Sequence, residues 1–459
     1  MRFCHLLAHA IVLGAVTGCN EPRSAGPPPT ATNAPTAATV APAVTATATA
    51  AQDLDAGAPI EAGAPAPSTA SPACPATPWA SYGHDPARTS ASEGCVDGAL
   101  AVTWKLTRKG GCGFRSRAGR ILHVIAEENA LFAAVDCGSS PAVMRVTTAG
   151  EPLWTFSRGD YGRGSWPAFA GDAILSTDDG VFLVDRETGK LHGRELDVWG
   201  EPIVVGESFY VDNTFQLDGS GPFVGAIDAT LHWSWRASVI NPGKGKSVPR
   251  TGGVAYADGT IVHAAAMGAR VVPSLAAHDG KTGDRKWTAA NTWPESSPSI
   301  EGGRVFTVER WKGEQSDRLV ARSLLDGSPQ WSETIPWARG PAPVIGGKLV
   351  IVHGAEGVRA HDRATGALVW SNPLPRKAAF EESATTMAVA KGTSTLVVTS
   401  GVNVTVLELE HGTVKWSGVI ATGRSDTAPG GTTVERPVIV GRTVYVTSDG
   451  TLIRLDPAK

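Results

Sequence analysis

Two stretches of the chain place histidine, aspartate and threonine side chains close enough together for acid–base chemistry. The first runs from His278 to Trp287 and the second from His361 to Trp370. A histidine beside a carboxylate could act as a general base or bind a metal ion. In both stretches, however, Asp follows His, Gly stands four positions after Asp, and Trp four positions after Gly. Because the frame recurs, it indicates a structural repeat.

Further copies of this frame lie elsewhere in the chain: Gly150/Trp154, Gly327/Trp331, Gly412/Trp416 and, without its Trp, Asp185–Gly189. The Asp can accept hydrogen bonds from turn N–H groups, and the Gly can adopt a left-handed backbone conformation. We therefore expect a scaffold role for the blade motifs Asp279, Gly283, Trp287, Asp362, Gly366 and Trp370. The two histidines share a repeat position with Arg322, so we assign them to the scaffold. We therefore predict no catalytic residues and no metal site.

The elements that carry the frame are predicted to be short antiparallel strands. Each copy begins with a Pro-led apolar strand and turns at a Gly into a second strand, as in Pro437–Val446. Pro is tolerated at the start of a strand, and Gly suits a tight hairpin. Four strands repeating roughly every 37 to 55 residues are typical of β-propeller blades, with the Trp as a wedge between blades.

Eight repeats can be counted, and the third is a shortened copy that ends at Trp233. The eighth stops after three strands, at Asp456, while Ala99–Leu106 near the front of the chain is a strand-like segment without a hairpin partner. The sequence therefore predicts an all-β, eight-bladed propeller of four-stranded antiparallel blades. Its ring is closed by the N-terminal strand near Ala99–Leu106, which removes the open sheet edge.

The motif in Ala277–Trp287 and Ala360–Trp370 resembles the pyrroloquinoline-quinone-type β-propeller repeat. Trp79-x-x-Tyr82-Gly83-His84-Asp85, followed by Arg88-Thr89, is similar to the N-terminal segment of these propellers. The resemblance covers about Trp79 to Asp456 and implies the fold. It leaves function open, because the superfamily includes quinoprotein alcohol dehydrogenases and the propeller lipoprotein of outer-membrane β-barrel assembly.

The N-terminus predicts export and a lipid anchor. A short apolar run ends in Val16-Thr17-Gly18-Cys19, which resembles a bacterial lipoprotein box, so we expect a signal peptide over 1–18 and acylation of Cys19; an ordinary signal peptide is the alternative. Residues 19–77 are rich in Ala, Pro and Thr and predict a disordered tether, and 78–459 the propeller. Position 20 is Asn and not the Asp that resembles an inner-membrane retention signal, so the sequence favours delivery to the outer membrane.

Four cysteines remain for the exported domain: Cys74, Cys95, Cys112 and Cys137. An even number of thiols in an exported chain suggests disulfides. Three pairings are possible, of which Cys74–Cys95 with Cys112–Cys137 joins nearest neighbours; free buried thiols are the alternative.

Charged residues that interrupt the repeat are the candidates for binding a partner. They lie close to the starts of the innermost strands, where one face of the ring would carry a circle of mixed charge around the channel mouth. The candidates are Arg163, Glu201, Arg250, Glu295, Arg339, Glu381, Glu382, Glu435 and Arg436, together with Trp311 in a longer loop. The alternative interpretation is that these are solvated loop charges.

These patterns favour a non-enzymatic, lipid-anchored cell-envelope protein that binds an envelope protein or polysaccharide through a propeller face, as a monomer and without a cofactor. A net charge of −3, from 41 Lys and Arg against 44 Asp and Glu, argues against nucleic acid as a partner. The alternative is a periplasmic dehydrogenase that uses pyrroloquinoline quinone and Ca²⁺. The resemblance implies a vicinal disulfide for such enzymes, and this chain has no adjacent Cys pair.

Overall fold

Short antiparallel strands account for almost all of the secondary structure of the protein. The structure is a computed structural model that describes residues 74–107, 120–136, 142–157, 166–177, 180–196, 198, 200–213, 223–238, 249–251, 253–267, 274–289, 292–311, 313–336, 342–354, 356–374, 385–400, 402–420, 436–448 and 450–458. The predicted signal peptide, Cys19 and nearly all of the predicted tether lie outside these residues. None of the described residues forms a helix long and apolar enough to cross a membrane.

The strands form eight sheets, which we number as blades 1 to 8 in chain order. Two strands come before blade 1, namely β1 (Ala91–Ser92) and β2 (Leu100–Thr107). Blades 1 and 2 contain β3 (Arg120–Ala126), β4 (Ala130–Asp136), β5 (Ala142–Thr147) and β6 (Pro152–Ser157), then β7 (Trp166–Ala170), β8 (Ala173–Thr177), β9 (Gly180–Asp185) and β10 (Leu191–Leu196). Blades 3 and 4 contain β11 (Ile203–Val205), β12 (Ser208–Asn213), β13 (Phe223–Asp228) and β14 (Trp233–Ser238), then β15 (Pro249–Thr251), β16 (Val254–Ala257), β17 (Thr260–Met267), β18 (Ser274–Asp279) and β19 (Arg285–Ala289).

Blades 5 and 6 contain β20 (Thr292–Pro294), β21 (Ser299–Glu301), β22 (Arg304–Trp311), β23 (Asp317–Ser323) and β24 (Pro329–Ile335), then β25 (Val344–Gly346), β26 (Leu349–Gly354), β27 (Gly357–Asp362) and β28 (Leu368–Asn372). Blades 7 and 8 contain β29 (Thr386–Ala390), a 3-10 turn (Lys391–Thr393), β30 (Thr395–Ser400), β31 (Asn403–Glu408) and β32 (Val414–Val419), then β33 (Val438–Val440), β34 (Thr443–Ser448) and β35 (Thr451–Pro457).

The N-terminal strand β2 closes the ring. It pairs antiparallel with β35, from Leu100 opposite Pro457 to Thr107 opposite Thr451, and so supplies the fourth strand of blade 8. The predicted fold class, including eight blades and closure by this strand, is confirmed. Since each blade is apolar on both faces, the core lies between blades, as where Val406 of blade 7 and Val444 of blade 8 share one buried cluster.

The repeated tryptophans form wedges between neighbouring blades. Trp331 of blade 5 donates its indole N–H to the Arg363 carbonyl of blade 6 at 3.1 Å, and the glycine of the next turn packs flat against the ring. A Cβ atom at Gly366 would lie 2.7 Å from the Trp331 ring, so only glycine fits without displacement. The same pair of contacts recurs for Trp104, Trp154, Trp235, Trp287 and Trp370.

Blade 3 departs from the sequence interpretation, which ended its shortened repeat at Trp233. The wedge there is Trp235, whose indole donates to the Gly280 carbonyl of blade 4 at 2.9 Å. In the pairing register, Trp235 stands opposite Ala226, as Trp370 stands opposite Ala360 in blade 6. The turn is shorter, but the bulged strand β14 restores the wedge two residues later.

The segment from Trp79 to Cys95 runs through the centre of the ring and touches every blade. Its backbone hydrogen-bonds to the first strands or first turns of seven blades, and the eighth contact, to blade 3, is made by the Arg88 side chain. The backbone contacts are Trp79 with Ala126, Ala80 with Phe169, Pro86 with Tyr256, Ala87 with Ile300, Thr89 with Ile345, Ser90 with Val389 and Cys95 with Gly441. First strands surround the propeller axis, so we call Trp79–Cys95 the axial segment.

A disulfide joins Cys95, the last residue of the axial segment, to Cys74, which lies five residues before its start. This pair is one of the nearest-neighbour pairings expected from the sequence. Its Cα atoms are 5.8 Å apart, within the range that a disulfide spans. The other expected pair, Cys112 and Cys137, lies outside the described residues. The disulfide encloses the axial segment in a covalent loop, which limits its freedom in the unfolded chain.

Candidate functional site

Charged side chains meet the axial segment where the first strands of blades 3 and 8 begin. Glu201 directly precedes Pro202 and strand β11, and Arg436 directly precedes Pro437 and strand β33. Proline starts both strands because no ladder N–H is needed there. The residue before each proline is thereby placed at the channel mouth. Two of the predicted candidates, Glu201 and Arg436, therefore reach the propeller axis.

Arg88 of the axial segment is the partner of Glu201. The Arg88 side chain is 1% exposed; its Nη1 donates to Glu201 Oε2, and its Nε donates to the Val254 carbonyl of blade 4. Nη2 also lies 3.3 Å from the Glu201 carbonyl. One guanidinium thus fixes the axial segment to two blades, and the ion pair satisfies a charge that would be costly to bury alone.

Arg436 contacts the axial segment from blade 8. It is 5% exposed, its Nη1 donates to the Ser90 hydroxyl, and its guanidinium carbon lies 4.8 Å from the centre of the Tyr82 ring. A guanidinium over an aromatic face is stabilised by the ring quadrupole. Arg88, Glu201 and Arg436, together with Tyr82 and the groups below, form what we call the axial cluster.

The axial cluster contains two further titratable groups, Asp212, which is buried, and His123, which is half-buried. Burial raises the pKa of Asp212 to about 7; the negative charge of Glu201 adds to this effect and the cation of Arg88 opposes it. Burial also lowers the pKa of His123 to about 4, with Glu201 opposing and Arg436 reinforcing the shift. His123 lies between Tyr82 and Trp166, with ring centroids 5.3 and 5.6 Å away. At neutral pH His123 is therefore uncharged, and Asp212 holds its proton far more readily than an ordinary aspartate.

The backbone of the axial segment turns sharply inside the ring. His84, Arg88 and Ser90 have φ angles of 79°, 58° and 54°, a left-handed conformation that non-glycine residues rarely adopt. Asp85 holds one of these turns, since its carboxylate accepts the Thr89 backbone N–H at 3.1 Å and the Thr89 hydroxyl. Strain of this kind persists where many contacts fix the conformation. Here the surrounding blades supply those contacts.

Of the other predicted candidates, the two with described side chains, Glu295 and Trp311, make their contacts within blade 5. Glu295 lies 3.6 Å from Arg310 of its own blade. Trp311 is half-buried; its indole donates to Glu309 at 3.2 Å, and Arg318 lies over its ring at 4.6 Å, so it packs within blade 5. Only the backbone of Arg250 is described. Arg163, Arg339, Glu381, Glu382 and Glu435 lie outside the described residues, and their role in binding stays a prediction.

Blade 5 contains a buried ion pair that the sequence interpretation missed. Both oxygens of Glu309 accept from Arg322, at 2.8 and 2.7 Å, and both residues are buried. Thr292 and Thr307 donate hydroxyls to the same carboxylate at 2.6 and 2.7 Å. Burial alone would raise the pKa of Glu309, but the hydrogen bonds and charge of Arg322 outweigh it, and the pKa is lowered. We call these residues, with Trp311, the blade 5 cluster.

The histidines beside the motif aspartates lie within blade turns. His278 and His361 each place Nδ1 close to the carbonyl of the turn glycine, at 3.0 Å from Gly283 and 2.9 Å from Gly366. Arg322, at the same repeat position, donates from Nη1 to the Gly327 carbonyl at 3.0 Å. Burial lowers the pKa of both histidines. The shared contact supports a scaffold role.

The motif aspartates support the same turns. Asp362 accepts the backbone N–H groups of Ala364 and Thr365 at 3.0 and 2.8 Å. Asp279 does the same for Lys281 and Thr282 at 2.9 and 3.0 Å. Hydrogen bonds from Thr365 hold the pKa of Asp362 below its usual range. Each carboxylate is thus committed to its own turn.

The described part of the axis does not fit a bound quinone with Ca²⁺. No group of three His, Cys, Asp or Glu side chains among the described residues is arranged to hold a metal ion. The void beside Arg436 has a volume of about 10 Å³, close to that of one water molecule. A tricyclic cofactor is many times larger, and the axial segment occupies the space around this void.

A more open cleft lies between blades 3 and 4 and has a volume of about 300 Å³. Tyr210 and Tyr256 stack at its wall with centroids 5.1 Å apart, and the Tyr210 hydroxyl donates to the Gly280 carbonyl at 3.1 Å. Burial raises the pKa of Tyr210. The aromatic pair joins two blades, so the cleft is a product of blade packing.

Comparisons with known proteins agree with this architecture. Residues 220–459 match the family described as outer membrane protein assembly factor BamB. No curated protein sequence matches the chain significantly. BamB from Moraxella catarrhalis superposes with a TM-score of 0.54 at 16% identity, covering 78% of this chain and 98% of that one.

Solved enzymes share the fold as well. The quinohemoprotein alcohol dehydrogenase from Comamonas testosteroni gives a TM-score of 0.56 at 13% identity, over 83% of this chain and 81% of the enzyme. A europium-containing methanol dehydrogenase gives 0.58 at 14% identity, over 83% and 98%. At such identities the likeness shows the fold alone.

Proposed function

Since the chain belongs to the family of the outer membrane protein assembly factor BamB, we propose that it is a non-enzymatic binding protein of the bacterial cell envelope. Its ligand is a protein partner, held on the face of the propeller where the first strands begin. We call this the mouth face. A lipid on Cys19 and the Ala/Pro/Thr-rich stretch that follows would tether the propeller to the outer membrane.

The observation that carries this proposal is the path of the axial segment. It fills the ring where an internal substrate pocket of a propeller would lie, and it bonds to all eight blades. What remains for recognition is the outer surface of the ring. The mouth face contains connections of the kind that carry recognition in propellers. Glu201 and Arg436 show that charged side chains at this face reach toward the axis.

Photo-crosslinking in the native cells tests the proposal with the full-length chain. A photoreactive amino acid replaces Glu356, which lies between the second and third strands of blade 6 and therefore on the mouth face. The matched control replaces Leu325, which is 84% exposed in a turn between the third and fourth strands, on the opposite face. We expect an envelope protein crosslinked from position 356 and absent from position 325. Equal crosslinking from both positions, or none from either, would rule out the mouth face.

The alternative activity has its own test. The purified protein is mixed with pyrroloquinoline quinone and Ca²⁺ and assayed for stoichiometric binding and alcohol-dependent dye reduction. The proposal predicts neither. Turnover in this assay would establish a dehydrogenase in place of a binding protein.

A further inference from the structure

The small void beside Arg436 lies between the axial segment and blades 1 and 8. The residues that line it are Trp79, Tyr82, His123, Val124, Arg436, Val438 and Thr447. Its volume of about 10 Å³ admits one particle of about the size of a water molecule. The lining is mostly apolar and aromatic, with the Arg436 guanidinium as its charged member.

Two N–H donors of Arg436 have no acceptor among the residues that the structure describes. Nη1 donates to Ser90, but Nε and Nη2 are fully buried and have no hydrogen-bond partner in the described part of the chain. A buried donor left without an acceptor costs about 1–3 kcal/mol, and more in a charged group. The arrangement therefore lacks an acceptor at the place where these two donors lie.

The charge of Arg436 is also unmatched by any carboxylate in the described part of the chain. Glu201 forms its ion pair with Arg88, and no carboxylate among the described residues lies within ion-pair distance of Arg436. His123, which faces the same void, is neutral at pH 7 because burial lowers its pKa to about 4. Tyr82 contributes its ring face, which attracts a cation but does not neutralise it. A buried cation without a counter-charge is unfavourable.

We propose that this void is a binding site for one small monovalent anion of halide size, held by Nε and Nη2 of Arg436. Such an ion supplies both the missing acceptor and the missing negative charge. A neutral water would satisfy the donors but leave the charge unmatched. The site lies beside the axial segment, apart from the outer surface to which a protein partner would bind.

Bromide is the probe that locates the ion directly. Crystals of the wild-type protein grown or soaked in sodium bromide should show an anomalous peak within hydrogen-bonding distance of Arg436 Nε and Nη2. Exposed arginines that already have carboxylate partners, such as Arg236, which is 47% exposed and lies 4.0 Å from Glu195, should show a weaker peak or none. No peak at Arg436 in crystals with bromide elsewhere, with a water in the void, would overturn the proposal.

Thermal unfolding measures the effect of the ion on the whole chain. Binding to the folded state alone stabilises by RT ln(1 + [L]/Kd). We expect Tm to rise by about 2–4 °C in sodium chloride or bromide relative to sodium gluconate at the same ionic strength. R436M should abolish this difference, whereas R236M, which removes an exposed arginine, should keep it.

Equal Tm values of the wild type in chloride and gluconate would contradict the proposal, as would an unchanged halide response in R436M. If R436M does not fold, the bromide experiment on the wild-type protein still decides. The readout is independent of any protein partner, so failure of this proposal and failure of the proposed function are distinguishable.

Discussion

Two buried arginines, Arg322 and Arg436, differ in how many of their side-chain nitrogens have a hydrogen-bond acceptor among the described residues. In the blade 5 cluster, Arg322 donates through Nε and Nη2 to Glu309 and through Nη1 to a turn carbonyl, so each of its three nitrogens has an acceptor. In the axial cluster, Arg436 has one acceptor, Ser90, and two nitrogens without any in the described chain. Both are nearly inaccessible to solvent.

The difference in hydrogen bonding indicates different roles: Arg322 stabilises the fold, and Arg436 is available to bind a ligand. A buried ion pair whose hydrogen bonds are all made loses much when one member is removed, because the other charge is left alone. A buried arginine with missing partners already carries that cost in the folded protein. The blade 5 cluster therefore holds a blade together, whereas the axial cluster keeps a charge available for a ligand.

The largest effect is expected from R322M. It leaves the Glu309 carboxylate buried without its cation, and we expect a loss of about 3–5 kcal/mol in the free energy of unfolding. Urea denaturation at pH 7 measures this. The double variant E309Q/R322M removes both charges and should recover a large part of the loss. Additive losses in the double variant would show that the pair is not coupled.

The next largest effect is expected in the axial cluster, where stability should depend on pH through Asp212. Asp212 has a pKa of about 7 in the folded protein against an ordinary 3.8. The folded state therefore holds the proton more tightly, and stability from this group is present at low pH and is lost as pH rises from about 4 to 7. D212N should gain about 2–4 kcal/mol relative to wild type between pH 4 and 8.

Denaturant titrations at several pH values provide the measurement for D212N. The control is D362N, since the pKa of Asp362 is lowered by the hydrogen bonds of Thr365. Its contribution is present above the ordinary pKa and is lost as pH falls, so its pH dependence has the opposite sign. A D212N profile parallel to that of wild type would show that Asp212 is ionised normally.

A smaller effect is expected from E201Q. The amide keeps one acceptor for Arg88 but removes the negative charge, so we expect a loss of about 1–2 kcal/mol at pH 7. Because Glu201 is one cause of the raised pKa of Asp212, the pH dependence of stability assigned to Asp212 should move to lower pH in this variant. An unchanged dependence of stability on pH would show that the charge of Glu201 does not affect the pKa of Asp212.

The smallest effect should come from an exposed pair on the ring. Lys415 lies 2.8 Å from Asp97, which is 61% exposed, and K415M should change the free energy of unfolding by less than about 0.5 kcal/mol. The same urea denaturation measures it. A loss above 1 kcal/mol would contradict the expectation that exposed ion pairs contribute less to stability than buried ones.

Much of the fold could be predicted because it depends on side chains that recur along the sequence. The Asp, Gly and Trp frame gave the blades, and the unpaired strand Ala99–Leu106 gave the ring closure. The axial path of Trp79–Cys95 could not be predicted, because its contacts to seven blades use backbone groups and leave no residue pattern. The same holds for the wedge of blade 3, where a bulge moved the role to Trp235.

The clusters were only partly visible in the sequence. Glu201 and Arg436 were identified because each interrupts the repeat before a Pro-led strand, but their contacts with Arg88 and Ser90 depend on the axial path. Glu309 was missed, although a carboxylate within the apolar strand Arg304–Trp311 is itself a signal for a buried partner. Arg322 was recognised at the histidine position of the repeat without that partner.

The most direct test of the difference between the clusters is the unfolding free energy of R436M beside that of R322M, measured without halide at pH 7. Methionine keeps much of the side-chain volume while it removes the charge and the unsatisfied donors. We predict that R436M loses about 1 kcal/mol or less while R322M loses about 3–5 kcal/mol. A loss in R436M as large as that in R322M would contradict the account, because Arg436 would then be a structural residue like Arg322.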